Sequence, residues 1–173
     1  DVTAQLTPVL NTQLESDIWL IDLGAGKQRM GGSILAQVQN QFGQVCPDLD
    51  SPALLKQLAG LIIDARQQKL LHAYHDISDG GVFTALCEMA FASHCGLEIC
   101  VDHCGENDLS SLFNEELGVL VQVSNEDRAM FADLINKYDL AHCAQRIAIA
   151  NASDCIRVMR NLEPIAAWSW QTL

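Results

Sequence analysis

Basic residues are scarce in this sequence: 10 Lys and Arg stand against 22 Asp and Glu, a formal net charge of -12. That balance repels a phosphate backbone and argues against nucleic acid as a partner. It leaves room for a small phosphorylated ligand, because backbone N–H groups and a divalent cation can supply the positive charge. Long apolar runs are missing too. The longest, such as Leu58 to Ile63, are far too short to span a bilayer, so no membrane partner is expected. No basic start followed by an apolar stretch marks a secretory signal. Without an export signal, the seven cysteines read as reduced thiols of a cytoplasmic protein. A GxSxG nucleophile motif, a P-loop and a dinucleotide fingerprint are all absent.

What is there is a chain of 173 residues, 49% hydrophobic, enough for one domain with a real core. The opening DVTAQLTPVL has no methionine and reads like the middle of something. The closing AAWSWQTL carries two tryptophans and no clear stop. The expectation is a single domain, residues 1–173, excised from a longer multidomain chain.

Trp19 to Leu23 reads as a strand. The glycine-rich stretch Gly24 to Ser33 follows, and then a helix with Ile34, Leu35, Val38 and Phe42 on one face. Pro47 and Pro52 bracket a loop. Ser51 is placed to cap a helix with Pro52 at its first position, and Leu54, Leu58, Leu61, Ile62 and Ala65 form its stripe. Leu70 to Tyr74 is a short strand. Val82, Leu86, Met89 and Ala90 predict an amphipathic helix. Leu97, Ile99 and Val101 alternate with Glu98, Cys100 and Asp102, as in a half-buried strand. LFNEE, Leu112 to Glu116, is ambiguous. Val119, Val121 and Val123 predict a strand, and Ser124 a cap for a helix bearing Met130, Phe131, Leu134 and Ile135. Two further strands, at Ile147 and Ile149 and at Ile156 and Val158, and a last helix complete the expected order. Strand pairs among the alternating elements favour an α+β fold with helices packed on a layered mixed β-sheet over strict parallel winding.

Four stretches are candidates for chemistry. In HDISDGG, Asp76 follows a strand, so its carboxylate projects from the carboxyl edge of the sheet, where ligands sit in open α/β sheets. It is a candidate Mg²⁺ ligand. Ser78 adds a hydroxyl, and Gly80 and Gly81 open a helix whose first N–H groups and dipole favour an anion. A capped turn with Ser78 or Asp79 as N-cap explains the same residues. In Gly24–Ser33, the glycines allow close backbone approach while Lys27 and Arg29 supply positive charge; a flexible surface loop explains it equally well. In FNEELG, Asn114, Glu115 and Glu116 are placed to bind substrate, to pair with another domain or to end a helix, and spacing does not decide. The pairs His94-Cys95, His103-Cys104 and His142-Cys143, with Cys100, do not match the common zinc spacings, and free cysteine is a common core residue.

GAGKQRMGGSILAQV, PDLD at Pro47 to Asp50, HDISDGG with the helix GVFTALCEMAFASHCGLEI, and LFNEELGVLVQV occur together here. This combination resembles the large, single-polypeptide phosphoribosylformylglycinamidine synthases, in the second of their two carboxy-terminal domains similar to aminoimidazole ribonucleotide synthetase. HDxSDGG alone is shared more widely in that superfamily. The resemblance implies the fold of the aminoimidazole ribonucleotide synthetase C-terminal domain. It implies one domain of an ATP-dependent C–N ligase of the glutamine amidotransferase type, inactive alone. The enzyme converts formylglycinamide ribonucleotide to its amidine in purine biosynthesis, using ammonia released by a separate glutaminase domain. The implied cofactors are Mg²⁺ and ATP or ADP, with a metal position on Asp76, a nucleotide contact on Ser78 and the other metal ligands in a preceding domain. The implied partners are the remaining synthase and glutaminase domains of the same polypeptide and a small-molecule nucleotide substrate. Two alternatives remain: a structural module holding a nucleotide that does not turn over, and a part of another ATP-dependent member of the superfamily. The chain departs from the pattern at Ile77, where many members carry arginine.

Overall fold

Alternation along the strands decides the layout of the computed structural model, which describes residues 5–105, 107–169 and 172–173. In β1 (Ser16–Asp22), Ile18 and Leu20 join one apolar cluster while Trp19 and Ile21 join another, because successive side chains of a strand point to opposite faces. β4 (Gly118–Ser124) is buried along its whole length. Val119, Val121 and Val123 fall on one face and Leu120 on the other. Such two-sided burial requires helices on both sides of the sheet.

The sheet has seven strands in the order β2-β4-β1-β5-β3-β6-β7. The remaining strands are β2 (Leu71–Asp76), β3 (Gly96–Cys100), β5 (Ala144–Asn151), β6 (Cys155–Arg160) and β7 (Glu163–Ser169). Only β3 and β6 run parallel, with Leu97 beside Ile156 and Ile99 beside Val158; every other neighbouring pair is antiparallel. The sheet is therefore mixed, as the paired strands in the sequence predict. On one face α3 (Gly81–Ser93) and α4 (Asp108–Phe113) cover β1 and β3 through Val82, Leu86, Met89 and Leu112. On the other, α2 (Pro52–Gln67) and α5 (Arg128–Lys137) bury Leu58, Leu61, Phe131 and Leu134 against β1 and β4. The OH of Tyr138 and Nζ of Lys137 both donate to Asp64 Oδ2, at 2.7 and 2.6 Å, and tie α5 to α2.

Several expectations are corrected. The amphipathic helix after Ser33 shrinks to α1 (Ile34–Val38), which buries none of its residues. Asn40 turns left-handed at φ +53°, and Phe42 is left 89% exposed. Ser51 occupies the N-cap of α2 but makes no side-chain capping bond. α3 is buried well beyond one stripe, including Phe83, Ala85 and Cys87. Ser124 caps a turn, not a helix: its hydroxyl donates to Asp127 Oδ2 at 2.7 Å and accepts from Asp127 N–H at 3.1 Å, and α5 starts four residues later. Met130 lies outside the buried face of α5, at 49% exposure. The expected last helix is the strand β7, which pairs along β6. Trp168 on β7 meets Phe83 edge-on at 5.3 Å between ring centroids; Trp170, its companion in the sequence, lies outside the described residues.

Candidate functional site

β2 is an edge strand, paired on one side with β4. Ile77 N–H donates to Gly118 O at 2.9 Å, just past the last strand residue, Asp76. His75 anchors this strand end: Nδ1 lies 2.7 Å from the Asp76 carbonyl oxygen and Nε2 lies 2.8 Å from Glu88 Oε2 on α3. The Asp76 carboxylate itself is exposed and makes no hydrogen bond or ion pair among the described residues. Ser78 is exposed as well, and its carbonyl accepts from Gly81 N–H at 3.0 Å. Ile77 turns inward and packs on the apolar cluster under α3.

The chain then enters α3 through two left-handed glycines, Gly80 at φ +83° and Gly81 at φ +71°. A side chain at either position would also crowd its neighbours, another side chain at Gly80 and backbone at Gly81. A Cβ on Gly80 would lie 2.2 Å from Thr84 Oγ1, and one on Gly81 would lie 2.4 Å from the Asn114 carbonyl oxygen. Neither first N–H group is vacant: Gly80 N–H donates to Glu115 Oε1 at 2.8 Å, and Gly81 N–H is held by Ser78. The anion now at the mouth of α3 is a side chain of the same protein.

FNEELG is where three loops meet. Asn114 stays with its own backbone: Nδ2 donates to Ser110 O at 2.6 Å, and Oδ1 accepts from Glu116 N–H at 3.2 Å. Glu115 Oε1 accepts from Ile34 N–H at 2.9 Å in addition to Gly80. Glu116, 2% exposed, takes a fork from Arg29, with Nε to Oε1 at 2.7 Å and Nη2 to Oε2 at 2.6 Å, and a third bond from the Arg29 backbone N–H. The hydrogen bond to Glu116 is the main cause that raises the Arg29 pKa above its already high ordinary value, with Asp50 adding to it.

The glycine-rich stretch is tied to its surroundings by specific bonds. Asp22 accepts from Gly24 N–H and Gly26 N–H at 2.8 and 3.2 Å. Burial pushes the Asp22 carboxyl above the usual carboxylate range, against the pull of those two N–H groups. Gln28 donates to the Cys104 carbonyl and to Ser111 Oγ. The two cations that look available in sequence are committed internally: Lys27 pairs with Asp50 at 2.9 Å, and Arg29 with Glu116 and Asp50. PDLD thus serves as a counter-charge to this loop, and the Lys27 ammonium, foremost, holds the Asp50 carboxyl below its usual range.

The His-Cys pairs part company. His94 ends α3 in a left-handed conformation at φ +51° and Cys95 is buried beside it. His103, Cys104, His142 and Cys143 line one open cavity with Asp22 and Gln145. Burial pushes the thiols of Cys104 and Cys143 up to about 11, which keeps them protonated near neutral pH. Cys100 faces outward from β3. Among the described residues no three His, Cys, Asp or Glu side chains gather into a group able to hold a metal ion. Among them, too, no helix is long and apolar enough to cross a membrane.

Sequence reading singles out Asp76, Ser78 and the glycines as candidates. It leaves Glu115 and Glu116 undecided, since their partners lie 81 and 87 residues away in Ile34 and Arg29. The fold itself places the chain in a class of layered mixed-sheet domains. It superposes on Thermotoga maritima PurL complexed with ATP with a TM-score of 0.76 at 14% identity, covering 98% of this chain and 27% of that one. PurL complexed with FGAR gives a TM-score of 0.73 at 14% identity, with coverage of 98% and 29%. E. coli HypE, a hydrogenase maturation protein, gives 0.60 at 18% identity, with coverage of 87% and 48%. Residues 19–160 match the AIR synthase related protein, C-terminal domain, and the chain belongs to that family. It spans 27% of the length of the PurL chain it matches.

Proposed function

We propose that this chain is a synthase domain of a phosphoribosylformylglycinamidine synthase of the large, single-polypeptide form, an ATP-dependent C–N ligase that amidates formylglycinamide ribonucleotide with ammonia from glutamine. The observation that carries this reading is the edge of β2. A carboxylate exposed and without a partner among the described residues, Asp76, and an exposed hydroxyl, Ser78, stand beside the N-terminus of α3, in a chain of the AIR synthase related family. The PurL structures of similar fold were obtained with ATP and with FGAR. In our reading, Asp76 holds Mg²⁺ and Ser78 touches the nucleotide. Gly80 and Gly81 present the positive end of the α3 dipole, rather than free N–H groups, to the phosphates.

The donor chemistry fits a magnesium ion, which takes oxygen ligands and is commonly bound by one or two carboxylates shared with substrate phosphates. When bound, it neutralises phosphate charge that this acidic chain does not. With no three-ligand group among its described residues, the chain shares the site with the remaining synthase domains in this reading, and the glutaminase reaction belongs to a separate domain. The isolated chain is inactive in this reading, and its setting is cytoplasmic.

A second reading draws on the internal pairing of Lys27 and Arg29. With both cations paired to carboxylates, the Gly24–Ser33 loop has no unpaired cation among the described residues to place on a transferring phosphate, as in a nucleotide retained to staple domains together. Asp76→Asn in the complete polypeptide tests the site, with ammonia-dependent synthase activity and bound nucleotide as readouts. A loss of about tenfold or more in either is expected, and full retention of both would remove Asp76 from the site. Labelled nucleotide separates the readings: exchange at the turnover rate fits catalysis, and retention over many turnovers fits the staple.

A further inference from the structure

We propose that Glu115 is a positioning residue that couples the Gly24–Ser33 loop and its short helix to the Asp76–Gly81 loop, so that a nucleotide held by one loop also orders the other. The inference rests on the nucleotide reading of the Asp76 loop. One atom carries it. Glu115 Oε1 accepts both from Gly80 N–H, which opens α3, and from Ile34 N–H, which opens α1. Two bonds on one oxygen cannot adjust independently, because hydrogen bonds weaken steeply with distance and angle.

The anchor of this oxygen is rigid on its other side. Glu116, the next residue, is buried and gripped by Arg29, and its N–H is held by Asn114 Oδ1. Glu115 has no cationic partner among the described residues, so its charge rests on the two N–H groups and the positive end of α3. A displacement of Gly80 therefore reaches Ile34 through Glu115, and an ordering of Gly80 does the same. A residue that merely fills space would support both loops equally with and without ligand. It would not make the behaviour of Ile34 depend on what binds near Asp76.

Backbone amide hydrogen exchange on the complete polypeptide, with and without Mg-ADP, tests this. In the wild type, Mg-ADP is expected to slow exchange in residues 76–84 and also in residues 31–38. In Glu115→Ala without ligand, the Gly80 and Ile34 amides should exchange about tenfold faster. Mg-ADP should then protect 76–84 alone. Glu115→Gln keeps an accepting oxygen without the charge. It should show both effects, with a lower ratio of protection at 31–38 to protection at 76–84; this variant also carries the test if the alanine variant does not fold. Protection at 31–38 that survives in Glu115→Ala, or an unchanged ratio in Glu115→Gln, overturns the coupling and leaves the nucleotide site standing. Wild-type protein protected at 76–84 but not at 31–38 does the same. Absence of protection at 76–84 in the wild type overturns the nucleotide reading and the coupling with it.

Discussion

Replacing Arg29 by methionine removes the one cation that meets the buried Glu116 carboxylate among the described residues. Arg29 sends three donors to it, and methionine keeps only the backbone N–H at 2.9 Å. The Glu116 side chain is 1% exposed, so the stranded charge has little water to turn to. Breaking a buried pair by removing one partner costs about 3–5 kcal/mol. The Arg29 side chain is 11% exposed, and water entering at that rim places the expected loss at the lower end, about 3 kcal/mol. With a urea dependence of about 2 kcal/mol per molar, the unfolding midpoint should fall by about 1.5 M. Adding Glu116→Gln neutralises the stranded charge. The double variant should therefore regain about 1.5 kcal/mol relative to Arg29→Met alone, the sign of a coupled pair. Urea denaturation at neutral pH, followed by circular dichroism, measures all three proteins. A loss below about 0.5 kcal/mol, or a double variant less stable than Arg29→Met, would refute the view that this buried pair organises the loops.

The two left-handed glycines should differ in tolerance. Gly80→Ala meets the rotatable side chain of Thr84 and should cost about 1–2 kcal/mol, mostly backbone strain. Gly81→Ala meets the backbone of Phe113 and Asn114, which cannot rotate away, and should cost about 3 kcal/mol or more. Thermal melting gives the order, and a reversed order would contradict the packing described here. On acidification, Asp64 supplies a further check. The Lys137 ammonium, and after it the Tyr138 hydroxyl, hold its carboxyl below the ordinary value of 3.8. A depressed folded-state value means that the stabilisation is present above 3.8 and is lost as pH falls through the lowered value. The gap in urea midpoint between wild type and Asp64→Asn should therefore be open at neutral pH and closed in strong acid. A gap that stays constant throughout would show that the pair contributes by packing alone.

How much of this could be read in advance depended on the range of the interactions. β3 declared itself by strict alternation, and α2 by a stripe that does bury Leu58, Leu61 and Ala65. Both patterns are local consequences of strand and helix periodicity. β7 did not: it is an edge strand with Glu163, Pro164, Ile165, Ala167 and Trp168 all exposed, so no strict alternation of buried and exposed residues marks it. The apolar face of α1 misled because periodicity reports what could be buried, and no element of the described fold covers Val38 or Phe42. At the site, Asp76 and Ser78 were legible as polar residues at a strand-to-helix junction. The work of FNEELG was not, because Glu115 and Glu116 act on residues that only the folded sheet brings near.

The position of β1 has a consequence for synthesis. It lies in mid-sheet between β4 and β5, with Ser16 opposite Ser124 and Ile18 opposite Ala148. At roughly 5–20 residues per second, a ribosome needs about 7–26 s to make the stretch from Ile18 to Ala148. Throughout that interval Ile18, Leu20 and Ile21, all inside the finished protein, have no strand to lie against on the β5 side. Such non-local pairing also closes slowly once the partners exist. A nascent chain stalled before β5 leaves the middle of its sheet as a sticky open edge, a template for other chains. The strand order thus leaves β1 open on one side until β5 has been made.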